Sequence, residues 1–423
     1  MQTSLADFIR DTPEGREADA ILRSCVHCGF CTATCPTYQL TGDELDGPRG
    51  RIYLIKRVLE GQAPTTTTQL HLDRCLTCRS CETTCPSGVQ YGRLLDIGRH
   101  VVAEQVGRTP REQAIRWTLR RGLLAKPLFG GALALGRAVK GVLPPSLRAQ
   151  LPDAAPAGAW PAARHARKML VLEGCVQPSL APNVDAAMAR ILDRIGISLV
   201  KGGGGGCCGA LPHHLEETDQ ALAIAKRNID AWWPHLDRDV EAVVVTASGC
   251  GVMAKDYGHL LQHDADYAEK ARFVAARVKD PVEVIGAEWK AIAPKVAMDF
   301  GPQKVAFHPP CTLQHGMKLK GRVEEILLAI GLELTPVADA HLCCGSAGTY
   351  SILQPELSGR LKANKLAALE AGEPEIIASA NIGCATHLAT GTRRPVRHWI
   401  ELLDARMIGG TRAPPRAPAP ASA

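Results

Sequence analysis

Two stretches of this chain, CVHCGFCTATCP at 25–36 and CLTCRSCETTCP at 75–86, repeat one cysteine spacing, C-x2-C-x2-C-x3-C-P. That spacing leaves the backbone little choice. Three thiolates two residues apart must lie on one wrapping turn, so their sulfurs and the N–H groups between them converge on a common centre. The fourth cysteine, displaced and followed by proline, has to serve something else. Eight of the sixteen cysteines are in these ladders. The stretch MQTSLADFIRDTPEGREADA is acidic throughout and has no apolar centre, so it does not read as a signal peptide. No run approaches the roughly eighteen apolar residues of a spanning helix. The expectation is a cytoplasmic chain, peripheral on the inner face of the cytoplasmic membrane if it meets lipid at all, whose reduced thiols do metal or redox chemistry.

The ladder matches the bacterial ferredoxin run, in which the fourth cysteine of each run completes the other run's [4Fe-4S] cluster. Two clusters are expected, one on Cys25, Cys28, Cys31 and Cys85, the other on Cys75, Cys78, Cys81 and Cys35. Zinc also uses Cys-x2-Cys pairs, but three evenly spaced thiolates plus a distant Cys-Pro, twice over, do not suit a tetrahedral site. RGRIYLIKRVLEG at 49–61 and YGRLLDIGRHVVAEQV at 91–106 carry apolar residues at helical spacing, so this module should be mainly helical.

From about residue 168 the texture changes to alternating strand-like and helix-like runs. KMLVLEGC leads to Cys175, ISLVKGG to Cys207-Cys208-Gly209, and VEAVVVTASGC to Cys250, with helical patterns between them. The unit then recurs: KVAFHPPC leads to Cys311, LELTPVADAHLCCG holds Cys343-Cys344-Gly345, and PEIIASANIGC leads to Cys384. Thirty-one residues separate the first cysteine from the pair in both copies, and forty-one against thirty-nine separate the pair from the last. Such agreement marks an internal duplication. Cysteines at strand ends belong where an open α/β sheet gathers its ligands, so the two units should turn their cysteines toward a shared crevice and bear a second metal or redox site. The nearby histidines, His213, His214, His308, His315, His341 and His387, read mostly as hydrogen-bonded bystanders, with His308 and His387 the better ligand candidates. The formal G-x-G-x-x-G at Gly204, Gly206 and Gly209 is no nucleotide site, since the sister copy lacks the glycines. No catalytic constellation stands out, and no catalytic residue is expected on this chain.

The expected fold is thus α+β and multidomain, a mainly helical two-cluster ferredoxin module followed by two tandem α/β units. The expected division is 1–110 for the ferredoxin module, 111–165 for a linker, 166–292 and 293–410 for the two units, and 411–423 for a disordered tail. In the linker Arg116, Arg120, Arg121, Lys126, Arg137, Lys140 and Arg148 are interleaved with Trp117, Leu128 and Leu135 and have no acidic neighbour. Two uses fit: helices packed on the ferredoxin module with a solvated basic face, or a surface for anionic lipid. A net charge of +6 without dense basic runs argues against nucleic acid.

CVHCGFCTATCPTYQLTGDELDGPRGRIYLIK and RCLTCRSCETTCPSGVQYGRLLDIGR, followed by the two Cys-Cys-Gly units, resemble the iron–sulfur subunits of glycolate oxidase (glycolate dehydrogenase) over nearly the whole chain. The resemblance implies that the eight ladder cysteines bind the clusters. It also implies that FAD is carried only by partner subunits, which oxidise glycolate to glyoxylate, and that electrons leave for an acceptor other than oxygen, plausibly a membrane quinone. The units also resemble the Cys-Cys-Gly domains of heterodisulfide reductase and of anaerobic glycerol-3-phosphate dehydrogenase. Those motifs end in Cys-x2-Cys, whereas this chain has Met253 and His387 in the last position. Two alternatives remain within redox chemistry, service to another flavin-dependent dehydrogenase (of lactate or glycerol 3-phosphate) and thiol–disulfide chemistry; a zinc-stabilised scaffold is a third.

Overall fold

The structure, a computed structural model, describes residues 1–144, 151–152, 156–297, 301 and 303–407. Arg148 and the expected disordered tail at 411–423 lie outside the described residues.

Residues up to Val106 form helices joined by short turns, among them Pro13–Ser24, Pro36–Thr41, Pro48–Leu59, Thr66–Asp73, Ser80–Thr84 and Tyr91–Val106. Proline opens three of these at the first helical position, where its missing N–H costs nothing. Leu22, Ile55, Leu59, Leu72, Leu94 and Leu95 are fully buried between the helices. Both sequence-predicted helices are present, at Pro48–Leu59 and Tyr91–Val106.

Each Cys-Cys-Gly unit is a parallel four-stranded sheet. The first consists of β1 (Arg167–Val171), β2 (Ile197–Lys201), β3 (Val240–Val244) and β4 (Val278–Lys279), in the order β2-β1-β3-β4. The second repeats that order with β5 (Lys304–His308), β6 (Glu333–Leu334), β7 (Ile376–Ser379) and β8 (Val396–His398), as β6-β5-β7-β8. The sequence pattern yields three strands per unit. It misses β4 and β8, which at two and three residues are too short to show a periodicity. The cysteines lie just beyond the strand C-termini, in loops for Cys175, Cys207 and Cys208, and in the first turns of helices Ser248–Lys255 and Ile382–Ala389 for Cys250 and Cys384. The glycine after each pair is required: Gly209 and Gly345 have φ of 92° and 85°, and a Cβ on Gly345 would lie 2.7 Å from the Ser358 carbonyl oxygen.

The units exchange their last helices. The helix after β8, Trp399–Arg406, packs on Asn183–Arg194 of the first unit, and the helix after β4, Pro281–Ala287, packs on Arg322–Ala329 of the second. One apolar core runs through both sheets and all four helices, from Val171 and Val244 to Val305 and Ala378.

The basic segment forms two helices, Pro110–Leu124 and Lys126–Ala138. Arginines in and just before the first of them are ion-paired. Arg108 pairs with Asp73 of the ferredoxin module and with Glu216 of the first unit, Arg116 reaches the same two carboxylates, and Arg120 pairs with Glu217. The segment therefore straps the first unit to the ferredoxin module, which favours the packed-helix alternative for Arg116 and Arg120.

Candidate cluster sites and the cysteine-rich crevices

Both ladders fold alike. The second residue after the first cysteine is left-handed in each (His27, φ 59°; Thr77, φ 52°), and so is the residue after the second cysteine (Gly29, φ 89°; Arg79, φ 61°). Three of these four are not glycine, so the conformation costs energy that something must return. Alternating right- and left-handed residues turn successive N–H groups inward into an anion-binding concavity of the kind found around iron–sulfur clusters.

The ladders interlock. One pocket is lined by Cys25, Cys28, Cys31, Cys81 and Cys85, and a second by Cys75, Cys78, Cys81 and Cys35. Cys81, Pro48 and Tyr91 line both, so a thin shared wall separates them. Burial, then the neighbouring sulfurs, push the Cys31 thiol up to about 11 and raise those of Cys78 and Cys81 well above the ordinary thiol value. Sulfurs that oppose each other's ionisation form a favourable group only when positive charge sits among them, and metal supplies it. The residues therefore fit a cluster in each pocket.

The surroundings of the two pockets differ. Cys28 is exposed, and Val26 and Phe30 on the rim of the first are 67% and 62% exposed. The second is walled in by Arg51, whose guanidinium is fully buried. Arg51 Nε donates to the His71 carbonyl (2.7 Å) and Nη1 to Thr37 Oγ1 (3.2 Å), while Nη2, 3.7 Å from Asp46 Oδ1, has no hydrogen-bond partner. Asp46 in turn meets His71 Nδ1 at 2.8 Å and Arg74 Nη1 at 2.9 Å. Tyr91 donates its hydroxyl to Cys75 Sγ at 3.5 Å. Sequence reasoning missed Arg51, Asp46, His71, Arg74 and Tyr91. A signal existed for one of them: Arg51 is in phase with Ile55 and Leu59 on the buried face of its helix.

In each Cys-Cys-Gly unit the sulfurs form a chain, Cys175–Cys207–Cys208–Cys250 in the first and Cys311–Cys343–Cys344–Cys384 in the second. Cys311 and Cys343 are 4.0 Å apart. Backbone N–H groups of Gly209 and Gly345 donate to Cys207 and Cys343 Sγ, both at 3.4 Å. The units touch where Ser248 meets Thr312 (Oγ to Oγ1, 2.7 Å), but the second sulfur chain also faces the ferredoxin module. Leu76, Cys343, Tyr350, Leu357 and Leu361 form one buried cluster, with Cys78, Cys311 and Leu40 against it. The second unit thus packs its sulfur chain against the second ladder, a contact the sequence pattern does not indicate.

Two of these histidines dock the units on the ferredoxin module, and a third is bonded within its own unit. His213 pairs with Asp96 at 3.4 Å, and His315 bridges Thr83 Oγ1 (2.9 Å) and the His341 carbonyl (3.0 Å). His387 Nε2 meets Ser358 Oγ at 3.3 Å. His308 differs: burial holds its ring down at about 3, hence neutral, and its Nε2 has no partner.

Comparison with known proteins agrees with this architecture. The family described as "4Fe-4S dicluster domain" matches residues 21–89, and the family described as "Cysteine-rich domain" matches twice, at 169–255 and 305–389. The chain is therefore an iron–sulfur electron-transfer protein of the oxidoreductases, a cluster domain joined to a duplicated cysteine-rich domain. It is 54% identical to the glycolate oxidase iron-sulfur subunit of Escherichia coli, over 96% of this chain and 98% of that one. It is 32% identical to the probable glycolate oxidase iron-sulfur subunit of Bacillus subtilis, over 88% and 89%. Lactate utilization protein A of Bacillus velezensis is 28% identical over 56% of this chain and 100% of its own length. The chain belongs to the family of glycolate oxidase iron–sulfur subunits. Among the described residues no helix is long and apolar enough to cross a membrane.

Proposed function

We propose that this chain is the electron-transfer subunit of a glycolate-oxidising complex. It receives electrons from FAD-linked partner subunits that convert glycolate to glyoxylate, and it passes them to an acceptor other than oxygen, such as a quinone. One observation carries this reading: two adjoining pockets, each lined by the first three cysteines of one ladder together with the fourth of the other, with Cys81 common to both. On this reading Cys25, Cys28, Cys31 and Cys85 hold one [4Fe-4S] cluster, and Cys75, Cys78, Cys81 and Cys35 hold the second.

Bound there, such clusters supply reversible one-electron transfer. The chain's own residues set its direction. The rim of Val26 and Phe30 offers an apolar, desolvatable contact to a partner, so the first pocket is the side on which electrons arrive. Buried Arg51 and the Tyr91 hydroxyl stabilise added negative charge at the second pocket, which makes it the lower-energy place for the electron. Burial behind Leu76 and Tyr350 keeps solvent from it.

The test is anaerobic purification of the tagged chain with its co-purifying subunits, followed by EPR before and after glycolate. Reduced [4Fe-4S] signals after glycolate support the wire and its source. Clusters that stay oxidised with glycolate yet respond to lactate or glycerol 3-phosphate would move the chain to another flavin-dependent dehydrogenase, an alternative favoured by the match to the lactate utilization protein. A purified chain that turns over glycolate alone would refute the division of labour. Arg51→Met should lower the midpoint potential of one cluster and leave the other unmoved.

A further inference from the structure

We propose that the second Cys-Cys-Gly unit, and not the first, binds a single divalent metal ion of borderline softness, zinc or ferrous iron, between His308 Nε2 and the sulfurs of Cys344 and Cys384. A ring nitrogen of His308 and the two sulfurs lie within 4.8 Å of one another. All three residues are buried, at 1%, 0% and 4% exposure. Donors around a tetrahedral ion with bonds of about 2.0–2.3 Å stand some 3–4 Å apart, so small side-chain adjustments suffice.

His308 is placed as a ligand is placed. Its Nδ1 meets Ser379 Oγ at 3.1 Å, at the end of the neighbouring strand, which fixes the ring. Its other nitrogen, Nε2, is buried with no hydrogen-bond partner. Buried polar atoms are rarely left so, and a second hydrogen bond that orients the ring is the usual arrangement around a metal-bound histidine. Cys384 Sγ accepts from Asn381 Nδ2 at 3.4 Å, a contact that favours the thiolate. Two thiolates and an imidazole suit zinc or ferrous iron and do not suit magnesium or calcium.

The duplication supplies the internal control. Counting from Cys175 and Cys311, the residue matching His308 is Leu172, which packs with Cys208 in an apolar cluster. The first unit fills with carbon the place where the second has a nitrogen donor. Cys343, next to Cys344, belongs to the cluster packed against Cys78, so the ion would stand behind the wall of the second ladder's pocket.

The test uses the full chain purified anaerobically with its clusters intact. Zinc, iron and acid-labile sulfide are measured for the natural protein and for His308→Leu, which copies the sister unit, and Cys384→Ser, with Leu172→Ala as the control. The expected result is one equivalent of zinc, or of iron beyond that matched by sulfide. That equivalent is lost in both variants and kept in the control, while the cluster EPR signals persist. Protein grown with cobalt in place of zinc should show the visible bands of tetrahedral thiolate-bound cobalt, absent in His308→Leu. If the natural protein holds no metal beyond its sulfide-matched iron, or if both variants retain the extra equivalent, the proposal is wrong. Should His308→Leu lose its clusters, His308→Gln replaces it, and the metal-to-sulfide ratio of the natural protein decides independently.

Discussion

The two Cys-Cys-Gly units share a backbone and differ in how they fill it. Strand order, the left-handed glycine after the cysteine pair and the chain of four sulfurs are the same in both. At matching positions the first has Leu172, Met253, Asp280 and Gly286, and the second His308, His387, His398 and Asp404. The first is strapped to the ferredoxin module by largely buried ion pairs through Arg108, and the second is packed on it by apolar contacts around Leu76. Duplication thus preserved what the backbone needs, glycine and sheet order, and left the side chains free to diverge where the units meet different neighbours.

The exchanged helices give the sharpest contrast. Arg190 donates two hydrogen bonds to Asp404, at 2.9 and 2.7 Å, and Arg194 adds a third at 2.7 Å. The symmetry-matched contact is apolar, with Ile326 in the place of Arg190. Asp404→Ala leaves the buried Arg190 guanidinium without this carboxylate and should cost about 3–5 kcal/mol. Ile326→Ala on the apolar side should cost about 2–4 kcal/mol, measured by chemical denaturation of the cluster-loaded protein. Equal losses would mean that the two contacts had not diverged in strength.

The next contrast is in pH. Asp280 and His398 both cap the helix after the last strand of their unit, each in a capping box. Burial pulls His398 down to about 4, and its two ring nitrogens serve opposite roles: Nε2 donates to the Thr246 carbonyl (3.0 Å) and Nδ1 accepts from Ile400 N–H (3.3 Å), which requires the neutral ring. Its folded value is below the unfolded one, so its stabilisation is present above about 6.5 and lost as pH falls toward 4, up to about 3 kcal/mol. Burial raises Asp280 to about 7, above its unfolded value. Its contribution is full below about 3.8 and is lost as pH rises toward 7. Between pH 7 and 5, hydrogen exchange corrected for intrinsic rates should therefore slow in helix 281–287 and quicken in helix 399–406. Parallel changes would break the comparison.

Smaller effects sharpen it. Gly345→Ala should destabilise more than Gly209→Ala: both accept a left-handed strain of about 1–2 kcal/mol, but only Gly345 also meets a carbonyl oxygen within 3 Å. Tyr350→Phe removes a 3.2 Å hydrogen bond to the Arg74 carbonyl and should cost about 1 kcal/mol, loosening the second unit alone.

Much of this was legible in the sequence because it is local or repeated. Helix 91–106 shows its period, and the duplication shows in cysteine spacing alone. The short strands β4 and β8 were not legible, since two or three residues carry no period. The basic segment was read as helices with two uses, and its ion pairs with Asp73, Glu216 and Glu217 chose between them for Arg116 and Arg120.

The sequence by itself determined which cysteines share a turn, that a fourth stands apart from each such turn, and that one α/β unit occurs twice. Each of these is a constraint of chain spacing, which the backbone obeys wherever it lies. Only the tertiary structure decided that Arg51 and the Asp46 hub wall one pocket while Val26 and Phe30 leave the other open. It alone decided that the second unit lies against Cys78, and that His308, with an unpartnered ring nitrogen, is buried near two cysteine sulfurs. These depend on side chains far apart in sequence, such as Asp46 with His71 and Arg190 with Asp404, meeting where solvent is excluded. Burial there turns an ordinary charge or ring nitrogen into one that must find a partner.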